Sequence, residues 1–454
     1  MTNQDIHHDS DQDGFATRAI HVGSQPDPTT GAVIPPLSLS TTFAQAGVGT
    51  AKYDYSRSIN PNREALESLL ASLEHGSAAI AYSSGSAATA AVCQWLTLPV
   101  AEGGGRKGSK RDEIRVLSIS DVYGGTYRYL RRVAEATTSV EVDFLDMAQI
   151  TSDDLASALT PETKLIWLES PTNPLLVVPP LELISSVVRS IPEQDRPLIV
   201  VDNTFLSPYW SNPLDLGADI VLQSISKYLN GHSDVIMGAL IIRQGLEGRL
   251  LKGLKFLQNS SGGIPSPFDC FLAQRGIKTL PLRALQHGIN ALYIASRLQS
   301  NPLISEVRYP GLASNEFHGR AKWSLSSQAK RDLRRLGWSL DENNNSSNGH
   351  TELDKERTEG GIPFSGMVTI RLRANEAQTE KFLQSLRLFA LAESLGGVES
   401  LAEAPWKMTH GSIPVEDRLK AGITENLVRL SVGIEDREDL LADLERGLKI
   451  ATQD

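Results

Sequence analysis

The sequence predicts an α/β protein: a large domain on a mostly parallel sheet, followed by a smaller α+β domain. Three observations predict it. Short apolar runs at 115–119, 164–168, 198–201, 220–222 and 238–242 are rich in Ile, Val and Leu, and such two-sided runs suit strands covered on both faces. Helical segments separate these runs, and alternating strand and helix builds a parallel sheet with helices on either side. After about Pro267 the texture changes. Residues 268–300 are mostly helical in period, 367–372 and 427–432 read as strands, and 379–391 and 437–451 read as amphipathic helices.

The chain divides accordingly. Residues 1–62 have few apolar runs and many turn residues, among them Pro26-Asp27-Pro28 and Pro35-Pro36, and are expected to form an extended arm. Residues 63–275 form the large domain. It opens with a helix over 63–73 that lines up Leu66, Leu69, Leu70 and Leu73. Residues 276–454 form the C-terminal domain. The uncharged stretch 76–101 is broken by Ser83, Ser84, Gly85, Ser86, Gln94 and Pro99 and is rich in alanine. It reads as a buried turn leading into a buried helix, since a membrane span wants about 20 strongly apolar residues. Residues 103–113, rich in Gly and basic residues, and 341–361, rich in Asn, Ser and charge, read as surface loop insertions. The basic cluster Arg106, Lys107, Lys110 and Arg111 belongs to the first loop and reads as solvated.

Composition narrows the function classes. A chain of 454 residues suits two or three domains. The net charge of −10 disfavours nucleic acid and anionic membranes as partners. Only Cys93 and Cys270 occur, so a disulfide framework is excluded and a reducing compartment fits. Residues 1–14 are polar, with no apolar core of a signal peptide, and a cytoplasmic location is expected. His7-His8 lies in this polar tail, and no metal-ligand spacing, nucleotide fingerprint or G-x-S-x-G elbow occurs. No metal is expected.

The residues that carry chemistry sit at strand ends. Asp202 directly follows the run 198–201, at the carboxyl edge where open α/β sheets bind ligands. A carboxylate there serves as a metal ligand, a ribose ligand or the partner of a pyridinium nitrogen, or simply caps the next turn. Lys227 follows the run 220–222, with Ser224 and Ser226 beside it. A lysine is usually a solvated charge. Paired with Asp202 on a neighbouring strand end, it completes the minimal pyridoxal-phosphate (PLP) machine: a Schiff-base lysine and a carboxylate for the pyridine nitrogen. Tyr82-Ser83-Ser84-Gly85-Ser86 opens an alanine-rich helix, either as an anion site or as an ordinary N-cap. Tyr123 follows the run 115–119, placed to stack on a flat ring or to pack in the core. Arg429 is a charge within an apolar strand, which calls for a partner such as a substrate carboxylate. Asn173 lies in a Pro-rich turn.

Together these motifs resemble the Cys/Met-metabolism family of PLP-dependent enzymes, of the aspartate-aminotransferase-like fold (PLP fold type I). The likeness runs from about residue 21 to 451 apart from the two insertions. It is carried by His21-Val22-Gly23, Tyr55-Ser56-Arg57 and the stretches 121–126, 170–174, 201–205, 227–234, 256–259, 392–400, 408–411 and 429–436. Stretches 60–64 and 83–86 look like fungal members. The resemblance implies that Lys227 carries PLP and acts as a base, that Asp202 pairs with the ring nitrogen, and that Tyr123 stacks on the ring. It implies that Gly85, Ser86, Ser224 and Ser226 bind the phosphate. Tyr55 and Arg57 would reach the phosphate of a neighbouring subunit, which makes the protein a homo-oligomer, a dimer of dimers. Asn173, Ser394 and Arg429 would hold the substrate carboxylate, and Arg128, Glu393 and Asp54 the distal end of an amino-acid substrate. The implied reaction is cleavage of a C–S bond by α,γ-elimination. The alternatives are γ-replacement, β-elimination and a catalytically silent form of the fold. One departure stands beside the lysine, where Ile225-Ser226 replaces the usual Ala-Thr.

Overall fold

The computed structural model describes residues 13–99, 103–105, 114–138, 140–340 and 361–452. Most of the two insertions, including the basic cluster 106–111, and His7-His8 lie outside the described residues. The arm is not wholly extended. Phe15–His21 is a short helix whose Phe15 ring meets Tyr209 edge-on, with centroids 5.9 Å apart. The next long helix, Pro61–Leu73, begins two residues before the predicted start. The Asn60 side chain accepts the Asn62 and Arg63 N–H groups, and Pro61 occupies the first turn.

Seven strands form the large sheet: β1 (Ala78–Tyr82), β2 (Ile114–Ile119), β3 (Val140–Leu145), β4 (Thr163–Glu169), β5 (Leu198–Asp202), β6 (Ile220–Ser224) and β7 (Gly238–Ile242). Their spatial order is β1-β7-β6-β5-β4-β2-β3. The set from β6 to β3 is parallel, while β7 runs antiparallel to both β6 and β1. All five predicted runs are strands of this sheet. β5 and β7 are buried at every residue, as expected of strands covered on both faces. β1 went unread because Ala-Ala-Ile-Ala-Tyr has little β propensity. β3 went unread because it is the edge strand, where Glu141 and Asp143 alternate with apolar neighbours.

The second sheet, in the order β10-β11-β12-β9-β8, contains β8 (Ile304–Arg308), β9 (Met367–Leu372), β10 (Ala390–Leu391), β11 (Leu401–Glu403) and β12 (Leu427–Ser431). The helix expected over 379–391 is Glu376–Ser385. It starts at an Asn375–Gln378 capping box. It stops because the Asp443 carboxylate accepts the N–H groups of Arg387, Leu388 and Phe389 at 2.7–3.3 Å. The freed chain then pairs as β10 with β11.

Candidate active site

The carboxyl ends of β4, β5 and β6 open into a cleft of about 600 Å³, closed on the other side by residues 392–395 and Arg429 of β12. Eleven of the predicted residues line it: Gly85, Ser86, Tyr123, Asn173, Asp202, Ser224, Ser226, Lys227, Glu393, Ser394 and Arg429. Asp202 does cap its turn, since its Oδ1 accepts the Thr204 N–H at 3.0 Å and the Thr204 hydroxyl at 2.5 Å. Thr204 Oγ1 in turn accepts the Ser224 N–H at 2.9 Å, so one side chain links the ends of β5 and β6. Lys227 Nζ donates to Ser394 Oγ at 2.9 Å. Burial, reinforced by the Arg429 guanidinium, holds the Lys227 amine down to about 8.

Arg429 is almost fully buried. Its Nη1 donates to Asn173 Oδ1 at 2.9 Å and to Glu403 Oε1 at 3.0 Å, and its Nη2 to the Ser394 carbonyl at 2.9 Å. Ser394 sits at φ +98°, a conformation that costs a non-glycine residue about 1–3 kcal/mol. The bonds from Arg429 to its carbonyl and from Lys227 to its hydroxyl hold it there. Thr409 donates to the same Glu403 oxygen at 2.8 Å, and burial pushes the Glu403 carboxyl up against the pull of Arg429.

The donor set fits PLP. Lys227 offers an amine, and Asp202, 8% exposed, keeps one carboxylate oxygen outside the Thr204 bonds. The helix Gly85–Thr97 points its N-terminus at the cleft. Its first N–H groups have no partner within the helix, and the Ser84 side chain takes only that of Ala87. A Cβ on Gly85 would stand 3.3 Å from Ser224 Cβ, narrowing a cradle that fits a phosphate. The family model described as Cys/Met metabolism PLP-dependent enzyme matches residues 16–357 and 342–449. The chain belongs to this family.

Members of this PLP-dependent family resemble the chain along nearly its whole length. A cystathionine gamma-lyase of Dictyostelium discoideum is 44% identical over 96% of this chain and 97% of its own. The crystal structure of cystathionine gamma-lyase from yeast superimposes with a TM-score of 0.80, at 41% identity, covering 97% of this chain and 99% of that one. A cystathionine gamma synthase from Xanthomonas oryzae pv. oryzae, in complex with cystathionine, gives 0.79 at 36% identity, over 97% of this chain and 98% of the other.

Four predicted residues are not among those that line the cleft of their own chain. Arg57 donates to the Asn259 backbone and side chain at 2.9 and 2.7 Å. Tyr55 is 46% exposed, and Asp54 accepts the Tyr55 N–H at 2.6 Å. Arg128 donates to Ser412 Oγ at 3.4 and 3.2 Å. Ile225 is fully buried in the core, and the Ser226 hydroxyl accepts the Met237 N–H at 2.9 Å.

Sequence reasoning missed Glu169, Thr204 and Glu403. Glu169 is the register partner of Asp202 at the end of β4, so its place at a strand end was a usable signal. Its Oε2 accepts the Tyr123 N–H at 2.8 Å and positions that ring. Burial and the neighbouring Asp202 push the Glu169 carboxyl far up, while burial pushes Asp202 to about 6. A cation facing Asp202 favours its ionised form. Gly125 is also constrained, because a Cβ there would meet Tyr123 Cε1 at 2.4 Å.

Proposed function

We propose that the protein is a cystathionine gamma-lyase that converts L-cystathionine and water to L-cysteine, 2-oxobutanoate and ammonia. One observation carries this reading. The complete Lys227–Asp202–Tyr123–Arg429 cleft occurs in a chain that matches cystathionine gamma-lyases at 41–44% identity along nearly all its length. When bound, PLP supplies an electron sink for the charge left at Cα. Lys227 would hold the cofactor, with Asp202 as the partner of its ring nitrogen and Tyr123 against the ring. Gly85, Ser86, Ser224 and Ser226 hold the phosphate. Arg429 and Asn173 take the substrate α-carboxylate, with Ser394 fixing both Arg429 and Lys227. Lys227 Nζ, when free of the cofactor, would take the α-proton of the substrate. The proton lost from Cβ would be balanced by the one that the departing γ-sulfur takes up as cysteine, and the proton held on Lys227 would return to the four-carbon unit before water releases it as 2-oxobutanoate and ammonia. Depression of Lys227 to about 8 leaves part of it as free base near neutral pH.

Arg128, Glu393 and Asp54 shape the distal end of the substrate in this reading. Tyr55 and Arg57 complete the phosphate site of a second copy in a dimer of dimers. The arm supports this: Val33, Ile34, Leu39 and Val48 are more than half exposed, which is unusual for a surface without a partner. We place the arm at 1–62, the PLP-binding domain at 63–275 and the C-terminal domain at 276–454. Two free buried cysteines support a cytoplasmic location, and among the described residues no helix is long and apolar enough to cross a membrane. The test is product identification from PLP-loaded protein and L-cystathionine. Cysteine with 2-oxobutanoate is expected, and homocysteine with pyruvate would overturn the reading.

A further inference from the structure

Behind the cleft, a second polar cluster takes no part in the chemistry above. Glu74 caps the C-terminal end of the helix Pro61–Leu73 and is completely buried. Its Oε1 accepts Gln223 Nε2 at 2.6 Å and Asn203 Nδ2 at 3.2 Å. Gln223 immediately precedes Ser224 on β6, and Asn203 immediately follows Asp202 on β5. Strand side chains alternate between faces. One carboxyl group therefore ties together, from the back, the two strand ends that present Asp202 and Ser224 at the front.

Two oxygens of this cluster are buried without a partner, Glu74 Oε2 and Asn203 Oδ1. The Asn203 amide cannot turn over to relieve this. Its Nδ2 also donates to the Ser211 carbonyl at 2.9 Å, so a flip would set its oxygen against two acceptors. A buried acceptor without a donor is destabilising. A single proton answers both oxygens, because a carboxylic acid and a primary amide each offer one donor and one acceptor side by side. We propose that Glu74 is a neutral carboxylic acid joined to the Asn203 amide by two hydrogen bonds, Nδ2–H to Oε1 and Oε2–H to Oδ1, and that it thereby acts as a positioning residue for Asp202 and Ser224.

The surroundings agree. Burial pushes the Glu74 carboxyl up to about 7, against the bonds from Gln223 and Asn203 and the proximity of His75. The nearby charged groups engage one another: His75 Nδ1 meets Asp215 Oδ2 at 2.8 Å, and His75 Nε2 lies 3.0 Å from Arg18 Nη2. Arg18 donates to the Ser72 carbonyl. Asn212 Nδ2 donates to the Leu73 carbonyl at 3.0 Å, and its side chain also draws the Glu74 carboxyl down without forming a hydrogen bond to Oε2. No ion pair engages Glu74 among the described residues.

The positioning role rests on the PLP assignment, whereas the protonation state does not. Infrared difference spectra of the full chain, wild type minus Glu74→Gln, recorded with and without added PLP near pH 6, test the protonation state. The expected result is the carbonyl stretch of a neutral carboxylic acid. Carboxylate bands instead, as a buried water donating to both oxygens would leave, overturn the proposal. The PLP dissociation constant tests the positioning. Glu74→Gln keeps one donor and one acceptor and is expected within about threefold of wild type. Glu74→Leu removes the tie and is expected to weaken PLP by about tenfold or more. Equal loss in both variants, or none in Glu74→Leu, overturns the role. A wild-type chain that binds no PLP would instead sink the cofactor reading and leave the infrared result standing.

Discussion

Replacing Thr204 by valine tests how the site tunes its acid. Valine keeps the shape and removes two hydrogen bonds, from Thr204 Oγ1 to Asp202 Oδ1 at 2.5 Å and from the Ser224 N–H to Thr204 Oγ1 at 2.9 Å. A hydroxyl bond to an ionised carboxylate contributes about 2 kcal/mol. At about 1.4 kcal/mol per pKa unit, its loss raises Asp202 by roughly one to two units from its starting point of about 6. Asp202 is then about half to nine-tenths protonated at pH 7 in the cofactor-free protein, and keeping it ionised for the proposed contact with the ring nitrogen costs up to about 1.4 kcal/mol, a loss of PLP affinity of up to roughly tenfold. The unsatisfied Ser224 N–H costs the fold about 1 kcal/mol as well. PLP titrations of wild type, Thr204→Val and Thr204→Ser at pH 7 and pH 9 measure this. Thr204→Ser should bind like wild type, and the Thr204→Val deficit should shrink at pH 9, where Asp202 is ionised regardless. Wild-type affinity in Thr204→Val, or an equal deficit in Thr204→Ser, would refute the reasoning.

Other outcomes follow from the same geometry. Lys227→Ala is expected to abolish turnover, and activity above trace in a clean preparation would contradict its role as base. Because burial holds the Lys227 amine near 8, the rate of PLP uptake by cofactor-free protein should rise through about pH 8; a rise that begins only above pH 10 would show an ordinary lysine. Gly125→Ala places a Cβ 2.4 Å from the Tyr123 ring, and displacing that ring should lower kcat/KM by about tenfold or more while the melting temperature holds. Unchanged kinetics would mean the ring position is unimportant. The raised Glu74 pKa stabilises the fold fully below the unfolded value of 4.5, and this contribution is lost by about pH 7. That amounts to ~3 kcal/mol. Denaturant unfolding from pH 4 to 8 should therefore show wild type losing stability relative to Glu74→Gln as pH rises, and a constant difference would refute it.

The sequence made the edge of the cleft legible because the parallel strands carrying it are apolar on both faces and end at chemically unusual residues. Asp202, Lys227, Tyr123 and Arg429 each stood out against an apolar strand or at its end, and the cleft gathers all four. The supporting groups were harder to read. Thr204 bonds to Asp202 two residues before it but also to Ser224, 20 residues on, and Glu403 acts through Arg429, 26 residues on; nothing local marks the longer bonds. Glu74 is a buried carboxyl at a helix end, a position where an acidic residue is usually solvated. The strands that were missed are short or alternate with charge, as β3 and β10 do, so their pairing depends on neighbours rather than on their own composition. The overrun at 379–391 has the same origin, since the carboxylate that ends the helix comes from Asp443.

The measurement that bears most directly on the proposed activity follows L-cystathionine, carbon-13-labelled in its four-carbon half, by NMR with the PLP-loaded protein. Cleavage on the γ side sends the label into 2-oxobutanoate and leaves the released cysteine unlabelled. Label retained in homocysteine beside unlabelled pyruvate would mean cleavage on the β side. Label that stays in cystathionine, with an unlabelled thioether formed only when an activated homoserine and a thiol are supplied, would mean γ-replacement. Either of the last two results would contradict the assignment.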